Sequence, residues 1–350
     1  MLDVAVIGGG IGGEHINGYA QLPERFRVTA ICDLDQDLAR NLAAQTGGRS
    51  TADIDDVLAD PDIDIVDICL PPAMHVPVAI RVLEAGKHAI VEKPVAGSLV
   101  EADRLVAAEA RSQGSVFPVF QYRYGKAFGQ LAALRAAGLP GRPIAAAIET
   151  HWNRDRDYYA KPWRGSWDHE LGGVVLIHAI HAHDLLTQHF GAVADVAAVL
   201  TTNANPVETE DCAAISLRMA NGALATSSIT LGAATDTTRM RLVYEHLTAE
   251  SGTAPYAPGT GDWRFVARRR ADQAEIDAIL RDVPDGLAGF AGYFDAIADA
   301  LEGRSGREVT LADGLASIEL VSAIYHSDRS GQRVSLPVDR SLPITTSLRP

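Results

Sequence analysis

Val4-Ala5-Val6-Ile7-Gly8-Gly9-Gly10-Ile11-Gly12-Gly13 is the stretch on which the fold turns. Four apolar residues read as a buried strand, the glycines as a tight turn, and residues 14–22 as the helix that follows. In a dinucleotide-binding unit the first glycine permits the turn, the second lets the backbone approach a pyrophosphate, and the third allows close packing of helix on strand. Gly8, Gly10 and Gly13 have that spacing, and Gly12 is an alternative to Gly13 in the packing role. Any glycine-rich turn gives such a match, so the surroundings must decide.

Downstream, residues 26–32 form a second β-prone run that ends at Asp33, about twenty residues past the last glycine, where an acid would bind the adenosine ribose. Asp33 and Asp35 have no arginine beside them to receive a 2′-phosphate, so the expected cofactor is NAD rather than NADP. Asp33 also reads as a cap for a helix over 35–45. The alternation then continues with a short helix over 53–59, a strand over 63–70, a helix over 74–85 and a strand over 88–91. Ser98 caps a helix reaching residue 113, and residues 116–120 form another strand. Repeated β-α units predict a parallel, doubly wound sheet over the first part of the chain.

With 350 residues, two domains are the expectation, because single cores stop growing at roughly 250 to 300 residues. The formal charge of −14 argues against nucleic acid and against anionic membranes as partners. Cys32, Cys69 and Cys212 are odd in number, far apart and set in apolar surroundings, so they read as reduced core cysteines. The chain enters its first strand without a basic-then-apolar leader, and the expected compartment is the cytoplasm.

Past Gln121 the texture changes. Residues 144–152 read as a strand, 153–170 as a loop rich in aromatic and charged residues, and the segment after Leu171-Gly172-Gly173 as one helix to residue 190. Strands over 193–201, 212–219, 223–231 and 240–244 suggest a large open, mostly antiparallel sheet, and helices follow over 272–280, 289–302 and 311–327. The expected division is a Rossmann domain over 1–122, an α+β domain for substrate binding and oligomerisation over 123–340, and a tail over 341–350.

Val91-Glu92-Lys93-Pro94 puts a carboxylate, an amine and a proline at the end of an apolar strand. Alone this is a surface Glu-Lys pair, but in a doubly wound sheet strand ends face the ligand crevice. Several segments together resemble the glucose-fructose oxidoreductase, inositol dehydrogenase and MocA family: the glycine turn with Asp33, Leu70-Pro71-Pro72 with His75, and Ala85-Gly86-Lys87-His88 leading to Glu92-Lys93-Pro94. Gln121-Tyr122-Arg123-Tyr124, Pro162-Trp163-Arg164-Gly165, Gly172-Gly173 with His181 and Asp184, and Asp313-Gly314 followed by Glu319, Ser327 and Gly331 extend the likeness over nearly the whole chain. The resemblance implies an N-terminal Rossmann domain, a C-terminal domain whose open sheet carries substrate on one face and a subunit partner on the other, and a lysine, here Lys93, beside the nicotinamide after a bond that is commonly cis. It also implies cofactor contacts from Gly8, Gly10, Ile11, Gly12, Gly13, Asp33, Leu34, Leu70, Pro71, His75, Glu92, Lys93 and Gln121. Two positions depart from the pattern. Ile177 stands where an Asp or Asn is customary, with His178 beside it, and His15 follows the glycine turn one residue early.

The chemistry expected is oxidation of a hydroxyl, which needs hydride loss from carbon and proton loss from oxygen. Lys93 is the candidate proton shuttle, since desolvation and a cationic neighbour both favour its neutral form. His181 is the candidate to bind or relay from the same hydroxyl, and His178 to share that role, because residues three apart on one helix point to a similar side. A metal site of His178, His181, His183 and Asp184 is disfavoured, because His183 falls off the shared face and no water-activating glutamate accompanies it; no metal is expected. Tyr158, Tyr159, Trp163 and Arg164 wall a sugar-sized pocket or else pack an aromatic loop, with Tyr158, Trp163 and Arg164 taken as substrate contacts beside His178 and His181. Arg123 reads as structural. The expected function is an NAD-dependent dehydrogenase of a sugar, an inositol-like polyol or a related cyclic diol. The alternatives are a glycoside hydrolase that retains NAD and a cofactor-sensing regulator without catalysis. The expected partners are the small-molecule substrate and further copies of the chain, as a homodimer or homotetramer built through the C-terminal sheet.

Overall fold

The computed structural model describes residues 1–350 except Pro162 and Ser305, and at Ala271 the backbone only. Pro162, part of one segment of the resemblance, thus lies outside the described residues. The first third runs β1 (Leu2–Ile7), α1 (Gly9–Tyr19), β2 (Phe26–Cys32), α2 (Gln36–Thr46), β3 (Arg49–Thr51), α3 (Ile54–Leu58), β4 (Ile65–Ile68), α4 (Pro72–Glu84), β5 (His88–Val91), α5 (Leu99–Glu109) and β6 (Val116–Pro118). Then come α6 (Lys126–Ala136), β7 (Pro143–Asn153), α7 (Trp167–Glu170), α8 (Val174–Ile177), α9 (Ile180–Phe190), β8 (Val193–Thr201), β9 (Cys212–Met219), β10 (Leu224–Thr230) and β11 (Gly232–Tyr244). The chain closes with β12 (Leu247–Glu250), β13 (Arg264–Ala267), α10 (Gln273–Asp282), α11 (Gly289–Leu301), α12 (Leu311–Ser330) and β14 (Val334–Ser335).

Two compact units result, one of residues 1–121 with 290–318 and one of residues 122–289 with 319–350. The C-terminal domain expected over 123–340 is therefore interrupted, because residues 290–318 return to the first unit. They return for packing reasons. The Tyr19 ring stacks on Phe294 at 3.8 Å and 9°, and buried Tyr293 donates to the Phe117 carbonyl at 2.8 Å. The expected tail over 341–350 is held too, with Ile344, Thr345 and Leu348 buried.

In the first unit six parallel strands take the order β3-β2-β1-β4-β5-β6, as the β-α alternation predicts. Strands β1, β4 and β5 are almost wholly apolar and buried, the pattern of a sheet covered on both faces. Asp3 and His88 stand at their half-buried starts, and Asp67 is a carboxylate wholly buried within β4. In the second unit eight strands take the order β13-β12-β11-β7-β10-β9-β8-β14, antiparallel except for β10 on β7. β9 and β10 alternate buried and exposed residues strictly, so one face of this sheet is covered and the other open.

The helix expected from residue 174 to 190 is two helices. His178 ends α8 with φ −119° and ψ −56°, and the Ala179 N–H reaches back to the Val174 carbonyl at 2.8 Å. His178 and His181 therefore do not share one helical face by their spacing. No helix among the described residues is long and apolar enough to cross a membrane.

Candidate active site

The glycine turn is shaped by the sheet beneath it. Gly8 has φ 97°, a conformation favourable only to glycine, and a Cβ there would lie 2.3 Å from the Cys69 carbonyl oxygen. At Gly12 a Cβ would meet Val6 at 2.8 Å, whereas at Gly13 the nearest atom is at 3.8 Å, so Gly12 takes the close-packing role first assigned to Gly13. Gly10 has nothing within 4 Å and lies exposed, which leaves open space for a phosphate against the first turn of α1.

Asp33 follows β2 directly and accepts the Gly9 N–H at 2.6 Å on one oxygen and the Asp35 N–H at 2.8 Å on the other. It does not cap α2; Asp35 does, accepting from Asp37 and Leu38. Asp33 is thus pinned beside the turn with lone pairs to spare for a ribose diol. Leu34 next to it is 89% exposed and Ile11 is also exposed, apolar surface of the kind an adenine would cover. A cradle open at Gly10, an acid at the β2 end and exposed apolar contacts together fit NAD.

His75 is placed differently from expectation. Its ring is buried and spans two carbonyl oxygens, Leu70 and Pro94, at 2.7 Å each, so it ties the loop after β4 to the loop after β5. Burial holds it below the ordinary histidine range despite those acceptors. Lys93–Pro94 is a cis bond. Glu92 is buried under the same turn; one oxygen accepts the Lys93 main-chain N–H at 2.9 Å and the other meets His15 Nε2 at 3.2 Å. Because all six strands run parallel, the glycine turn after β1, the acid after β2 and the lysine after β5 share one edge of the sheet.

In the second unit, Tyr158 is the hub. Its hydroxyl meets His178 Nε2 at 3.2 Å and accepts from Arg164, which also binds Glu170 at 2.8 Å. Guanidinium groups flank its ring, Arg164 at 4.4 Å and Arg154 at 5.1 Å, and Arg164 also lies 4.0 Å from the exposed Trp163. Burial pushes the phenol up to about 12, so it stays protonated at neutral pH. His181 stacks on Tyr122 with centroids 4.2 Å apart. Arg123 and Asp184 form a buried bidentate pair, 2.7 Å on its Nε arm, in keeping with a structural role. His183 bonds Ser227 at 3.0 Å and burial lowers it to about 4. Among the described residues the single His/Cys/carboxylate cluster of metal-binding compactness is His15, Asp67 and Cys69, in the other unit.

Sequence reasoning passed over Glu170, which holds Arg164, and Glu210, whose carboxylate accepts the Gly173 and Val175 N–H groups and the Tyr325 hydroxyl. It also passed over Asp67. A lone acid inside the apolar run Ile65-Val66-Asp67-Ile68 was the available signal, since a buried charge needs a partner.

A doubly wound sheet with this turn and this acid defines a dinucleotide-binding protein. The chain belongs to the GFO/IDH/MocA oxidoreductase family: residues 2–120 match its NAD-binding Rossmann fold and residues 128–250 match its C-terminal domain. The WlbA dehydrogenase of Bordetella pertussis, solved with NADH and UDP-GlcNAcA, superposes with a TM-score of 0.84 at 29% identity over 97% of this chain and 98% of its own. An uncharacterized oxidoreductase of Synechocystis sp. is 30% identical over 242 residues, 63% of each chain. Levoglucosan dehydrogenase of Pseudarthrobacter phenanthrenivorans is 30% identical over 212 residues, 57% of this chain and 54% of that one. This chain thus spans less than two thirds of the length of those two relatives. Its first unit is an NAD-binding Rossmann domain.

Proposed function

We propose that this protein is an NAD-dependent dehydrogenase that oxidises a secondary hydroxyl of a sugar or cyclic polyol. The observation that carries this reading is Lys93 at the end of β5, on the same sheet edge as the glycine turn and Asp33, with Glu92 fixed beneath it. NAD, when bound, accepts the hydride from the carbinol carbon. Lys93, in its neutral form, takes the hydroxyl proton as the carbonyl forms, so the products are ketone, NADH and one proton. Asp33 selects NAD, because a 2′-phosphate would meet its carboxylate.

We assign substrate recognition in the second unit to His178, His181, Tyr158, Trp163 and Arg164. A phenol, an imidazole and a guanidinium joined in one chain suit a ligand rich in hydroxyls, and the exposed Trp163 ring suits the C–H face of a sugar. The sugar ligands of the WlbA dehydrogenase and levoglucosan dehydrogenase complexes point the same way. The open face of β9 and β10, with Leu224 exposed, and Val199 exposed on neighbouring β8 are assigned to self-association, which light scattering of the purified protein tests.

The deciding experiment is a screen of levoglucosan, inositols, aldoses and dihydrodiols with NAD, followed at the absorbance of NADH. Net NADH formation is expected. Cleavage of aryl glycosides without net NADH would replace this reading with a hydrolase, and the absence of both would leave a regulator. Lys93→Ala is expected to bind NADH and to lose at least about a hundredfold in kcat; near-normal turnover would remove Lys93 from the mechanism.

A further inference from the structure

Beneath Lys93 lies a buried ionic chain that neither hydride transfer nor cofactor binding accounts for. His15, on α1, has both ring nitrogens against carboxylates, Nδ1 at 2.8 Å from Asp67 on β4 and Nε2 at 3.2 Å from Glu92 after β5. Tyr19, one turn on along α1, donates to the same Asp67 oxygen at 2.9 Å. Cys69 Sγ lies 3.5 Å from His15 Nδ1 and 3.6 Å from the other Asp67 oxygen. His15 and Asp67 are wholly buried, and the rings of Phe290 and Phe294 close the remaining side at 4.3 and 5.7 Å. Three secondary elements of the sheet edge, the glycine-turn helix, β4 and the β5 loop, therefore converge on one imidazole.

Only an imidazolium can serve both carboxylates. A neutral ring carries one N–H, and its other nitrogen would set a lone pair against a carboxylate oxygen in a wholly buried site. Burial alone would lower His15, but Asp67 and its hydrogen bond outweigh it and hold the ring well above the ordinary histidine range.

We infer that His15 is a positioning residue for Lys93: as an imidazolium it donates to Asp67 and Glu92 together, fixes Glu92 so that its second oxygen receives the Lys93 main-chain N–H, and places a positive charge behind the lysine that favours its neutral, proton-accepting form. The inference rests on the reading of Lys93 as the base. Among the described residues His15 is faced by Asp67, Glu92 and Cys69, with Tyr19 on the same Asp67 oxygen, and Lys93 is itself felt by His75. The Cys69 thiol is pushed up to about 12 by burial, then by Asp67, and stays neutral. The two carboxylates are thus the charges that set the balance with His15. Removing the imidazolium leaves them uncompensated and should make Lys93 harder to deprotonate; removing the Glu92 charge should do the reverse.

The chain has four lysines, Lys87, Lys93, Lys126 and Lys161, so Lys93 can be followed alone. Uniformly ¹³C,¹⁵N-lysine-labelled protein is titrated by NMR, with Lys93 assigned through Lys93→Arg, for the native chain, His15→Gln and Glu92→Gln. His15→Gln is expected to raise the Lys93 midpoint by about one pH unit, and Glu92→Gln to lower it by a similar amount, with Lys126 and Lys161 unmoved. An unchanged Lys93 midpoint in His15→Gln overturns the inference, and leaves His15 a strut between strands. If that variant does not fold, Glu92→Gln decides, and an unmoved or raised midpoint there overturns it equally. Failure of the base reading is seen separately, as turnover by Lys93→Ala, and would overturn this inference with it.

Discussion

At Gly8 the backbone leaves no room for a methyl group, and the reason is the neighbouring strand rather than the cofactor. The residue combines positive φ with a carbonyl oxygen 2.3 Å from where a Cβ would stand. Gly8→Ala is expected to destabilise the protein by about 2 to 4 kcal/mol, from backbone strain plus overpacking, and to abolish NADH binding. Denaturant unfolding and NADH fluorescence check the two effects. Gly13→Ala, where the nearest atom is at 3.8 Å, is expected to stay within about 1 kcal/mol of the native protein. The glycine count of the turn was legible from sequence, but the division of labour was not, because it depends on which neighbouring side chain each Cα faces. The same holds for His15, whose partners Asp67 and Glu92 lie 52 and 77 residues away along the chain.

Among the elements, β5, β8 and β9 run over the residues expected, and β10 is one residue shorter at each end. β3 and β13, three and four residues long, carry too little pattern to stand out, and each begins with an exposed arginine. β11 was expected from residue 240 but starts at Gly232, because its register on β7 shifts between Gly232 and Thr237 and breaks the alternation. The break between α8 and α9 has no local signal, since residues 174–177 are all apolar and no proline or glycine intervenes. What pins α8 is Glu210, 35 residues downstream, bonded to Val175 N–H at 3.0 Å. Within α9, Asp184 is tied to Arg123, and both side chains are buried. Asp184→Asn is expected to cost about 3 kcal/mol or more in chemical denaturation, because it removes the charge opposite a buried guanidinium, while Arg123→Met combined with Asp184→Leu should recover most of that loss.

On the scale of the whole molecule, acid works against two buried histidines. Burial lowers His183 to about 4 and His189 to about 3, and neither His189 ring nitrogen has a hydrogen-bond partner among the described residues. Both histidines are neutral in the fold, while an unfolded histidine binds a proton below about pH 6.5. The stability these two rings contribute is thus fully present above that pH and is lost progressively as pH falls toward 4, against an opposite contribution from Glu210, which burial raises to about 7. Each ring contributes up to roughly 1.4 kcal/mol per pH unit. His189→Met, which keeps an apolar side chain against Phe128, should flatten that slope when thermal unfolding is followed between pH 7.5 and pH 5.

The return of residues 290–318 to the first unit has a consequence for biosynthesis. The face of α1 that receives them is built for contact: a Cβ on Gly18 would lie 2.7 Å from Phe290, Tyr19 stacks on Phe294, and Phe26 meets both rings at a tilt. On the ribosome the NAD-binding unit therefore waits, with this apolar surface uncovered, until residues 290–318 have emerged. A fragment ending at residue 121 should aggregate when expressed alone. Supplying residues 290–318, by a linker or in trans, should restore a soluble NADH-binding protein.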